Sequence, residues 1–173
     1  MELLIPGLLL VGLMVYASTR IKRFTAKALE PETIDTNEFS IAKPDGLISV
    51  LAPENGLLFD AHTPEFADEP ADGFRKVSAN VRCYANKDLD SFAAALVNAG
   101  GRVTEDVPSK LGEMRARSME IVASENGVSV SRFHKLVQNK ERLFDLLIEI
   151  PEDHREEFEG SLRQMADSFL VKD

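Results

Sequence analysis

Tryptophan is absent from this chain, and cysteine occurs once, at Cys83. A single cysteine cannot close an intramolecular disulfide, and it excludes a zinc site built from several thiolates. Its place in the alternating run Val77, Ala79, Val81, Cys83 suits a small core residue. Also missing are the phosphate-cradling G-x-x-x-x-G-K-[ST] loop and the G-x-G-x-x-G turn, so nucleotide hydrolysis and dinucleotide chemistry are disfavoured. No internal repeat, low-complexity tract or run of five like charges is present. Beyond the first 23 residues the charge balance is acidic. With Arg20, Lys22, Arg23 and Glu2 set aside, 17 basic and 28 acidic side chains leave about −11. Phosphate backbones repel such a body, and nucleic acid is not an expected partner.

Histidine is scarce too. His62, His134 and His154 stand in no zinc-site spacing with another ligand. An imidazole without a partner has nothing to activate, so structural or surface roles are expected, with no catalytic residue, cofactor or metal assigned. A Ser-His-acid site assembled through space stays open.

What the chain does have is 173 residues with 44% apolar and 28% charged side chains, enough for one folded domain. Residues 3–16 carry no charge, and Ala17, Ser18 and Thr19 extend the run. At about 1.5 Å per residue, residues 3–19 span about 25 Å, slightly short of a bilayer's hydrocarbon core of about 30 Å. Arg20 and Lys22 can snorkel to the interface, and with Arg23 they form the expected membrane-interface set. Basic residues following the apolar run place the C-terminal side in the cytoplasm. The competing reading is a cleaved secretory leader with an exported domain, from the small-x-small look of Val15, Tyr16 and Ala17. The expected division is an anchor at residues 1–19, a juxtamembrane linker at 20–37 and a domain at 38–173.

Turn signals and apolar periods order the rest. Lys43-Pro44-Asp45-Gly46 between residues 39–42 and 47–51 predicts a hairpin, and Asn55-Gly56 precedes a strand at 57–63. Residues 76–84 alternate as a half-buried strand. Asp88 is an expected N-cap for a helix bearing Leu89, Phe92, Ala93, Leu96 and Val97, stopped by Gly100-Gly101. Strands at 115–123, 128–137 and 143–150 follow as a meander. A last helix carries Phe158, Leu162, Met165 and Phe169 as one stripe. The pattern spells α+β: an antiparallel sheet of about six strands with helices packed on it, preceded by one transmembrane helix.

Several phrases resemble PsbP-like and Mog-like domains across roughly residues 38–170. Phe39-Ser40-Ile41-Ala42-Lys43-Pro44-Asp45-Gly46 is similar to their F-S-apolar-x-x-P-x-G opening, and residues 89–99 to their first helix. Lys110-Leu111-Gly112 resembles the entry to their central meander, residues 143–151 their last strand, and Met165-Ala166-Asp167-Ser168-Phe169 their closing helix. Leu47 departs from the usual aromatic, and an acidic loop at 65–72 is unusually prominent. The resemblance implies a non-enzymatic adaptor. Members include extrinsic photosystem II subunits, a Ran-binding protein and bacterial membrane-tethered domains.

Two surface features invite a partner. Arg115, Arg117 and Arg132 form a potential basic strip for partner binding, against the plainer expectation of cross-strand pairing with acids such as Asp145 and Glu149. Asp60, Glu65, Asp68, Glu69 and Asp72 lack the spacing of an EF-hand loop, and a solvated acidic loop is the expectation. The function expected is that of a membrane-anchored accessory or assembly subunit of an integral membrane complex, photosynthetic or respiratory, with its bilayer contact through residues 3–19. The alternative is a membrane-tethered domain that binds a small ligand between sheet and helices.

Overall fold

The computed structural model describes residues 13–20, 26–50, 53, 55–64 and 75–172. In chain order its strands and longer helices are β1 (Glu32–Asp35), β2 (Phe39–Lys43), β3 (Ile48–Ser49), β4 (Leu57–His62), β5 (Ser78–Ala85), α1 (Leu89–Asn98), β6 (Arg102–Leu111), β7 (Met114–Glu125), β8 (Val128–Asn139), β9 (Arg142–Pro151), α2 (Arg155–Ser168) and β10 (Leu170–Val171). Residues 13–20 and 26–29 are also helical.

Three two-residue turns shape the larger sheet. Leu111 faces Met114 across Gly112-Glu113, Glu125 faces Val128 across Asn126-Gly127, and Asn139 faces Arg142 across Lys140-Glu141. Asn126 and Gly127 have φ of 50° and 85°, the left-handed pair that a tight hairpin needs. The sheet is antiparallel in every pairing, with order β3-β4-β5-β9-β8-β7-β6. It has seven strands, not about six. The extra one is β6, which sequence reading passed over. Eight of its ten residues are exposed, so no apolar period marks it, and as an edge strand it tolerates Pro108.

A second correction concerns the expected hairpin at residues 43–46. β3 does not fold back on β2; it pairs with β4 in the large sheet, whereas β2 is the middle strand of a small sheet β1-β2-β10. The reason is local. The turn's polar groups are claimed by the preceding segment: Gly46 N–H donates to Leu29 O at 3.0 Å, and the buried Lys43 ammonium donates to Glu30 O at 2.6 Å. β1 lies in the stretch read as linker, at 32–35. β10 follows a helix that ends at Ser168, and Phe169, expected on the helix stripe, is extended (φ −70°, ψ 114°).

Alternation along the strands gives the large sheet two different faces. On one, α1 seals Leu89 and Ala93 against Met119, Ile121, Leu136 and Leu143. Asp88 caps this helix, its carboxylate accepting from Ser91 N–H at 3.0 Å, and Gly100 and Gly101 (φ 103° and 115°) end it. On the other face lies the main core, where Phe39, Ile41, Leu162, Met165 and Phe169 meet Ala79, Val81, Phe144, Leu146 and Ile148. Cys83 packs half-buried against this core and accepts a hydrogen bond from Arg142 Nε at 3.2 Å. The small sheet closes late in the chain: Leu170 faces Ser40, Val171 faces Phe39, and Lys172 N–H donates to Glu38 O at 2.8 Å.

Candidate functional site

Three adjacent strands, β7, β8 and β9, project Ser118 and Glu120, Ser131 and Phe133, and Ile148 and Ile150 toward α2. A cavity of about 220 Å³ opens between this face and the helix. Its floor is apolar, from Phe133, Ile148, Ile150 and Leu162. Against that floor stands a buried carboxylate, Glu120, 8% exposed. A carboxylate in such a place requires strong partners. Ser131 Oγ donates to Glu120 Oε1 at 2.6 Å, and Arg155 Nη1, at the start of α2, approaches the same oxygen at 2.6 Å. Burial pushes the Glu120 pKa up. The bonds from Ser131 and Arg155, with the positive charges of Arg155 and Arg163, outweigh it and hold the group below its ordinary value. The group is an anion held in a fixed pose.

The opposite face carries a second buried polar pair. His134 Nδ1 lies 3.0 Å from Asp145 Oδ1, both side chains about 5% exposed. His134 shares its face with Arg132, as the strand period requires, and its cross-strand neighbours are Met119 and Leu147. No hydroxyl or thiol hydrogen-bonds this imidazole among the described residues. The pair therefore satisfies a polar inclusion under α1 and shows no nucleophile at hand.

The three arginines singled out from sequence are each engaged by acids of the same chain. Arg117 makes a two-pronged pair with Asp106, both bonds 2.6 Å, and lies 3.6 Å from Asp90. Arg115 reaches Asp90 at 2.5 Å and Asp88 at 4.0 Å. Arg132 bonds Glu149 at 2.9 Å and Glu125 at 2.5 Å. The three share one face, but Arg132 stands opposite Ile121, and buried Met119 separates that level from Arg117. Arg20 ends the helix at 13–20, exposed. Lys22 and Arg23 lie outside the described residues, as do residues 3–12 of the expected anchor and the acidic loop at 65–72. No helix among the described residues is long and apolar enough to cross a membrane. Nor do the described residues bring together three or more His, Cys, Asp or Glu able to hold a metal.

Comparison with known proteins turns on this architecture. No protein-family model matches the chain, and no curated protein matches it. Solved structures do. A mycobacterial protein, LpqN of Mycobacterium tuberculosis, described as involved in cell envelope biogenesis, superposes with a TM-score of 0.61 at 12% identity, over 83% of this chain and 91% of that one. Cyanobacterial PsbP from Synechocystis sp. PCC 6803 gives 0.55 at 12% identity, over 83% and 94%. The fold is PsbP/Mog-like. A variant of the protein Mog1 agrees, with a TM-score of 0.53 at 14% identity over 83% and 97% of the two chains. The likeness runs nearly the full length of each neighbour, so the PsbP/Mog-like unit is present as a whole. At such identities it speaks for the fold and assigns no site residue.

Glu120 and its partners escaped sequence reading because the contacts are diagonal across strands. Register sets Glu120 opposite Phe133, and Ser131 lies one step along the same face. The available signal was an acid flanked by Met119 and Ile121, a position where burial is costly without a partner.

Proposed function

We propose that the chain is a single-pass, membrane-anchored accessory or assembly subunit that binds other proteins of a larger membrane complex, such as a photosynthetic or respiratory one. The observation that carries this reading is the helix at 13–20, where Leu13, Met14, Val15 and Tyr16 are each more than 60% exposed. Four consecutive large apolar side chains, each this exposed, fit lipid better than water. In this reading residues 3–19 occupy the bilayer, with Arg20, Lys22 and Arg23 at its surface. The domain then lies on the cytoplasmic side and works by contact, not by bond-making. Confinement beside the bilayer raises effective concentration, so a modest interface stays occupied. That one fold neighbour is involved in cell envelope biogenesis supports a place at a membrane.

The test is purification from native membranes in mild detergent with quantitative mass spectrometry. Integral membrane proteins in fixed stoichiometry are expected. A clean monomer at native expression overturns the reading, and a mature chain recovered in the soluble fraction without its apolar leader replaces it with the exported alternative.

A further inference from the structure

We infer that the cavity between β7–β9 and α2 binds a small organic cation with an apolar body, of the primary-amine class. The volume, about 220 Å³, falls below the roughly 300–1,000 Å³ of sites for drug-sized molecules, so the occupant is small. The floor of Phe133, Ile148, Ile150 and Leu162 asks for an alkyl portion.

Charge sets the other end. Glu120 is held at Oε1 by Ser131 and Arg155, and its side chain lines the cavity. Glu105 and Asp167 stand at the rim, neither in an ion pair with another described residue, although the charges of Lys135 and Asp167 act on each other. The cations at the site are already committed: Arg155 to Glu120 and Glu152, and Arg163 to Glu159 at 2.7 Å. Lys135, on the same sheet face, donates to Ala166 O at 2.7 Å. An entering anion therefore meets arginines that already have acidic partners and an excess of carboxylates, whereas an entering ammonium finds the Glu120 carboxylate and two further ones at the rim. Three N–H donors on one small head suit that arrangement. A bare metal ion does not, because hard cations require a shell of about six to eight oxygens and half of this wall is hydrocarbon.

This inference stands apart from the partner-binding reading, and a chain that takes up amines yet co-purifies alone separates the two. The experiment is methyl NMR of the full chain in detergent micelles, titrated with n-butylamine and 1,4-diaminobutane, with butyrate and n-butanol as controls. Saturable shifts of the Ile148, Ile150 and Leu162 methyls in the millimolar range are expected for the amines only. Glu120→Gln should weaken binding about tenfold or more, the loss of one charge-assisted bond. Because Glu120 is buried, the exposed Asp167→Lys provides a second variant that keeps the fold and should abolish the amine shifts. Amines that move none of these methyls, controls that bind as well as amines, or Asp167→Lys binding like the parent would each overturn the assignment.

Discussion

Replacing Lys43 with methionine removes one ammonium and keeps an unbranched apolar stem of the same length, with sulfur in place of one methylene. Lys43 is 1% exposed, and Nζ donates to Glu30 O at 2.6 Å, Leu47 O at 2.7 Å and Ala28 O at 3.3 Å. Three donors meet three carbonyls, two of them in the segment leading into the domain. Burial pulls the Lys43 pKa down, while the charges of Glu32 and Asp45 pull it back up. The two short bonds contribute about 1.5–3 kcal/mol each as charge-assisted bonds, and the buried Leu47 carbonyl is left without a partner. Release from burying a charge offsets part of that loss. A net destabilisation of about 2–4 kcal/mol results, which at about 2–4 °C per kcal/mol for a chain of this size lowers Tm by roughly 4–16 °C. Thermal unfolding of the full chain in detergent measures it, with the exposed Lys27→Met as comparator. Amide exchange should rise at Gly46, whose N–H is bonded to Leu29 O. A Lys43→Met variant within about 0.5 kcal/mol of the parent, the range of surface substitutions, with unchanged exchange at Gly46, refutes the reasoning.

Three further outcomes follow from the geometry. Gly101→Ala should cost about 2–4 kcal/mol in urea unfolding, since at φ 115° its Cβ would lie 2.7 Å from Ile121 Cγ2; Gly100→Ala, open to solvent at φ 103°, should lose only the backbone part, about 1–2 kcal/mol. His134→Leu strands a buried Asp145 and should cost about 3–5 kcal/mol, most of which adding Asp145→Leu recovers, as the double-mutant cycle of the two leucine substitutions will read. Glu120 has a folded-state pKa depressed below the ordinary 4.5, so it stabilises the fold above that pH and the contribution is lost as pH falls through the lowered value. Glu120→Gln should flatten this acid limb of the stability curve.

Wherever a residue's surroundings repeat at a fixed sequence interval, the fold was legible. β5 alternates because one side faces the core, the Asn126-Gly127 turn names its own hairpin, and Asp88 caps the helix it precedes. β6 was hidden because both of its sides meet solvent, so nothing selects alternate residues. Phe169 misled for a subtler reason: it continues the spacing of Phe158, Leu162 and Met165, yet its burial comes from packing on Phe39, with ring centroids 6.0 Å apart, after the helix has ended. The site was less legible than the fold. Pairing Arg132 with Glu149 follows from adjacent strands, but Asp145 turned out to serve His134, and Ser131 and Arg155 converge on Glu120 from different elements. Such meetings depend on register and on where α2 lands, which no local interval encodes.

The pairing of β10 with β2 has a consequence for how this protein is born. β2 is made early and lies between two neighbours, one adjacent in the chain and the other about 130 residues downstream, so at about 5–20 residues per second the ribosome leaves one of its edges bare for roughly 6–26 seconds. Throughout that interval Phe39 and Ile41 have no finished core to enter. A nascent chain held in this half-clasped state is a natural client for chaperones, and synthesis must run almost to its end before the clasp can snap shut.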